Sequence, residues 1–167
     1  MIGEPKVENR DEQHYVAIRT QVTMQELGDV IPRLHSEVFG WLRNQDKDPL
    51  GGGAPFIRYL VIDMERQLDI ELAVPVAFPL SGNGRITPSV LPAGRYASLI
   101  YTGLVDAIPA NRALLVWGKE QGLAWDQWTT EKGDAFGARI ESFLTDPADE
   151  PDQEKWETEV AIRIKDE

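Results

Sequence analysis

"IRYLVID" at residues 57–63 and "IESFLTD" at residues 140–146 are one short phrase written twice, with a glutamate in the second copy. Both read as strands: runs rich in β-branched and aromatic residues, each closed by an aspartate that suits a turn. Strand alternation puts Arg139, Glu141 and Phe143 on one face and Ile140, Ser142 and Leu144 on the other. Two readings of Glu141 are open. It is a solvated strand residue with Arg139 as its neighbour, or a carboxylate held in the interior, which is costly unless paired or used.

The rest of the chain extends the match. "HYVAIRTQV" (14–22) alternates as a strand, and Thr23 to Glu26, "TMQE", form a capping box ahead of a helix. That helix runs to about Trp41 and Leu42 with Ile31, Leu34, Val38 and Leu42 on one face, and Pro32 predicts a kink or a short helix leading into a longer one. "NQDKDPLGGGAP" is a loop, followed by the strands "FIRYLVIDM" and "LDIELAVPV" around a polar turn. After the loop "PLSGNGRITPS" the order recurs: strand "GRYASLIYTG", helix "AIPANRALLVWGKEQ", strands "GARIESFLTD" and "WETEVAIRIK". Asp29-Val30-Ile31-Pro32 matches Asp106-Ala107-Ile108-Pro109, "IELAVPV" matches "TEVAIRI", and Tyr15 matches Tyr96. Four matches in one order predict an internal duplication, with repeats at approximately 4–80 and 84–167 of a single domain spanning 1–167. Two βαββ repeats imply an α+β fold with antiparallel sheets, helices on one side, and a central ligand cleft between the repeats.

Composition narrows the function. The 167 residues include no cysteine, which removes disulfides and thiol chemistry, and only His14 and His35 could supply imidazole. These two lie in different segments without ligand spacing, so neither a metal site nor a cofactor is expected. The formal net charge of −11, with no Lys/Arg cluster, argues against direct nucleic-acid binding. No apolar run has the length of a membrane span, and the first residues lack a signal pattern, so a cytoplasmic location is expected.

Familiar motifs fail. Gly51-Gly52-Gly53 is not followed by Lys-Ser/Thr, and a strand rather than a helix comes next. No Ser/His/Asp arrangement is visible. The aromatic residues are more informative: Trp117 on the second helix, Tyr59 and Phe143 on equivalent strands, and Trp156 at the head of the apolar row Thr158, Val160, Ile162 and Ile164. Such spacing also fits ordinary core packing.

Three stretches, "LPAGRYASLIYTG" (91–103), "GGGAPFIRY" (51–59) and "ARIESFLTDP" (138–147), resemble the GyrI-like family. This is the effector-binding domain of bacterial multidrug-sensing transcription activators, found also as stand-alone proteins. The resemblance spans nearly the whole chain and implies a concave surface centred on a glutamate among aromatic residues. On this sequence the glutamate is Glu141, with Tyr59, Trp117, Phe143 and Trp156 as aromatic walls. It implies a stand-alone binder of lipophilic, cationic, multidrug-type small molecules, the carboxylate attracting the cation and ring faces adding about 0.5–2 kcal/mol each. Two alternatives come with it: a hydrolase of reactive, cyclopropane-bearing natural products in which Glu141 is the catalytic general base, and a protein-interaction inhibitor resembling topoisomerase-binding relatives. The family's regulators carry a DNA-binding domain ahead of this one; here the first family-like strand begins almost at residue 1, so operator binding by that route is not expected.

Overall fold

The structure is a computed structural model that describes residues 1–167. In chain order its elements are β1 (Lys6–Arg10), β2 (Gln13–Val22), α1 (Leu27–Arg43), β3 (Phe56–Ile62), β4 (Leu68–Pro75), β5 (Ile86–Leu91) and β6 (Gly94–Thr102). They continue with α2 (Ala107–Glu120), β7 (Gln127–Thr130), β8 (Gly133–Phe136), β9 (Arg139–Phe143) and β10 (Glu157–Arg163). The fold is α+β and mostly antiparallel, as the sequence predicts. Instead of side-by-side sheets, however, all ten strands form a single sheet, ordered β1-β6-β10-β9-β3-β4-β2-β5, with β7 and β8 off this path. The join is the β3–β9 pair, where Phe56, Ile57 and Arg58 face Ser142, Glu141 and Ile140.

Local chemistry explains the elements that were legible. The Thr23 amide donates to Glu26 Oε1 at 2.9 Å and the Glu26 amide to Thr23 Oγ1 at 3.3 Å, a reciprocal pair that closes the turn just before α1 and leaves Glu26, not Thr23, at the helix N-cap. α1 then runs unbroken through Pro32. The carbonyl that proline deprives of a partner belongs to Gly28, which is exposed, so water can satisfy it.

Four strands were not legible as such, among them β1, which pairs with β6. β5 takes the end of the segment read as the loop "PLSGNGRITPS", because Ile86–Leu91 satisfies the open edge of β2. β7 and β8 form a hairpin closed at Gly133 (φ +131°), where a side chain would meet the Ile62 carbonyl. β8 in turn pairs with β3 at Val61 and Ile62.

Both helices cover the same face. Val30, Leu34, Val38 and Leu42 of α1 pack on Val16, Ile18, Ile57, Ile70 and Leu72; Ala110 and Leu114 of α2 pack on Ala97, Leu99, Val160 and Ile162. The opposite face carries a third cluster built on Tyr15, Phe56, Tyr96 and Ile140. No helix is long and apolar enough to cross a membrane.

Candidate functional site

Glu141 lies on β9, opposite Ile57 on one side and Val160 on the other. Its side chain is on the face that bears the helices: Phe143, two residues along, packs with the α1 cluster, and a residue of α2 reaches the carboxylate itself. Tyr59 donates its hydroxyl to Glu141 Oε2 at 3.0 Å, and Asn111 of α2 donates Nδ2 to Oε1 at 2.8 Å. Arg139 Nη2 donates to Asn111 Oδ1 at 3.0 Å, so guanidinium and carboxylate are linked through the amide and not by a direct ion pair. The arginine also stacks over Phe136, its Cζ 4.9 Å from the ring centroid.

The surroundings bear the mark of that charge. Burial, and then the Glu141 carboxylate, push the Tyr59 phenol well above its ordinary range. The same two causes, in the same order, push Tyr101 up to about 12. Arg139 is lowered by burial, which outweighs the opposing pull of Glu141. His35 of α1 is lowered by burial; its Nε2–H donates to the Phe56 carbonyl at 2.9 Å, and its ring meets Phe143 edge-on at 5.7 Å. The neighbourhood is therefore one carboxyl group, one guanidinium, neutral phenols and a neutral imidazole, with Glu141 only half-buried.

Of the residues singled out from sequence, Tyr59 and Glu141 are in direct contact, and Phe143 follows Glu141 on the same strand face. Trp117 packs with the α2 cluster, and Trp156 donates Nε1 to the Glu150 carbonyl at 2.6 Å; neither hydrogen-bonds Glu141. Asn111 and His35 were not read as site residues, and Arg139 only as a neighbour. For Asn111 there was a signal: asparagine is a poor mid-helix residue. Here its amide also bonds back to the Ala107 carbonyl at 2.9 Å.

Two open clefts lie elsewhere. One of about 450 Å³ is on the helix-free face, among Arg10, Gln13, Phe56, Leu91 and Tyr96. The other, of about 850 Å³, is bordered by Arg19, Arg66, Asp69 and Lys132. Neither is lined by Glu141 or its partners. No group of histidine, aspartate and glutamate side chains is arranged to hold a metal ion.

Comparison with known proteins gives a consistent result. The family model described as "GyrI-like small molecule binding domain" matches residues 3–165. No curated protein matches the chain. Among solved structures, the EcmrR C-terminal domain is similar over the full length of both chains, at TM-score 0.74 and 18% identity. In the EcmrR–DNA complex the chain covers 58% of the EcmrR chain, so it spans little more than half of that protein. SAV2435 bound to tetraphenylphosphonium is similar at TM-score 0.64 and 13% identity, covering 97% of this chain and 94% of that one. A hydrolase from Listeria innocua is similar at TM-score 0.62 and 11% identity, covering 97% and 92%.

Proposed function

The chain belongs to the GyrI-like small molecule binding domain family, and from that premise we propose that it binds lipophilic small molecules over Glu141, between α1 and α2. The carboxylate anchors the ligand's polar or cationic group. Tyr59 and Phe143 supply aromatic surface, which tolerates many ligand shapes. Trp117 and Trp156 enter as walls through the resemblance alone.

The observation that carries this reading is the place of Glu141 in the ladders. Tyr15 faces Pro75 across β2–β4, and Tyr96 faces Arg163 across β6–β10. These are the positions that the sequence match equates, which supports the duplication and a single domain over 1–167. Extending the same registers, Ile57 faces Leu72 and Glu141 faces Val160, so Ile57 and Glu141 are equivalent and also face each other. An approximate twofold axis then passes between them. The ladders move the sequence match by one residue, since "IRYLVID" against "IESFLTD" equates Glu141 with Arg58. At the axis one half supplies an isoleucine and the other a carboxylate, so the two halves differ there by one acidic group. Tyr59 and Asn111 already donate to that carboxylate, so a ligand group must replace or join them.

Tryptophan fluorescence titration with tetraphenylphosphonium and neutral lipophiles, on wild type and Glu141→Gln, tests this. Binding by wild type that weakens several-fold in the variant is expected; no response from any compound would remove the reading. A second reading, hydrolysis with Glu141 as general base, is favoured by the likeness to the Listeria hydrolase. It requires turnover of a ligand that Glu141→Gln still binds but leaves intact.

A further inference from the structure

We propose that Arg139, acting through Asn111, sets the charge preference of the Glu141 site, turning it from permanent cations toward neutral or dipolar lipophiles that carry a hydrogen-bond acceptor. The inference rests on the reading above that Glu141 anchors the ligand.

The geometry supports it in three ways. Arg139 and Glu141 are two residues apart on one strand, so alternation gives them the same face. The Asn111 amide between them is fixed in one sense: Oδ1 receives the guanidinium proton at 3.0 Å and Nδ2 serves the carboxylate at 2.8 Å. Reversing it would set donor against donor and acceptor against acceptor. Stacking on Phe136 holds the guanidinium in place. From α1 the site is faced by His35, neutral at neutral pH, and from β3 and β6 by the neutral phenols Tyr59 and Tyr101. Asp134 of β8 acts on Arg139 from an exposed position, where water and salt screen it. At the half-buried site one guanidinium therefore stands beside one carboxyl group.

A quaternary cation placed there meets both charges. It has no N–H with which to replace what Glu141 receives from Tyr59 and Asn111, and Arg139, partly withdrawn from water, repels it. A neutral ligand with a phosphoryl or carbonyl oxygen meets no such repulsion and can accept from the remaining guanidinium N–H groups of Arg139, since the single Tyr59 proton goes to Glu141 and the two Asn111 amide protons go to Glu141 and the Ala107 carbonyl.

The test uses two compounds of nearly one shape, methyltriphenylphosphonium and triphenylphosphine oxide, titrated by tryptophan fluorescence against wild type, Arg139→Met and Arg139→Lys. Wild type is expected to bind the oxide at least as tightly as the cation. Arg139→Met is expected to shift the ratio toward the cation by roughly tenfold or more, and Arg139→Lys to keep the wild-type order. Wild type that prefers the cation by tenfold, or an Arg139→Met ratio equal to that of wild type, would overturn the proposal and leave Glu141 as the anchor. Failure of both compounds with every variant would overturn both. Should Arg139→Met not fold, the wild-type ratio and the lysine variant decide.

Discussion

Glu71 and Glu141 lie on opposite faces of one sheet, and each accepts a hydrogen bond from a tyrosine with an arginine close behind it. Glu71, on the helix-free face, is 7% exposed and receives the Tyr15 hydroxyl. Arg58 donates to that same hydroxyl at 2.8 Å and also to the Val90 and Gly137 carbonyls, which ties β5 and the approach to β9 to the sheet. Every partner is a strand side chain or backbone. Glu141 instead takes one of its bonds from Asn111 on a helix, and its arginine is one amide removed. Similar residue types thus make a network closed among strands on one face and one that depends on a helix side chain on the other. What covers the carboxylate decides which.

Removing the arginines should separate the two most sharply. Arg58→Met deprives a buried carboxylate network and two carbonyls of their cation, and should lower unfolding stability in urea by about 3 kcal/mol. Arg139→Met should cost less than half as much, since Glu141 keeps both direct donors and is half-exposed. Equal losses would break the contrast.

The tyrosines should differ by less. Tyr15→Phe leaves both Glu71 and Arg58 short of a partner and should cost about 2 kcal/mol. Tyr59→Phe leaves Glu141 still bonded to Asn111 and should cost about 1 kcal/mol. The comparison is read from urea midpoints at neutral pH.

The smallest effect concerns pH, through a group that only the helix side carries. Burial depresses His35, so the unfolded chain binds its proton first. Its contribution is complete above the ordinary histidine value of about 6.5 and is lost as pH falls through the folded value. The urea midpoint should therefore drop between pH 7.5 and 5.5 in wild type, and drop less in His35→Gln.

How far the sequence reached follows from what is local. Eight of the twelve elements were legible to within about three residues, because alternation, helix periodicity, the Thr23–Glu26 box and the turn residues each act over a few positions. β1, β5 and the β7–β8 hairpin were not read, since their strand form depends on distant edges: β6 for β1, β2 for β5 and β3 for β8. Glu141 stood out because a carboxylate in an apolar strand is conspicuous in any context. Asn111 and His35 did not, because a helical side chain takes its meaning from what the helix covers.

The sequence by itself determined the α+β class, the order of the main strands and helices, and the strand face that Glu141 shares with Arg139 and Phe143. All of these follow from residue spacing along one segment. Tertiary structure alone decided that the strand sets join into one sheet at β3–β9 and that Ile57 and Glu141 meet there. It also decided that Asn111 stands between carboxylate and guanidinium. Those relations depend on interstrand register and on how helices seat on a sheet, which residues far apart in the chain settle together.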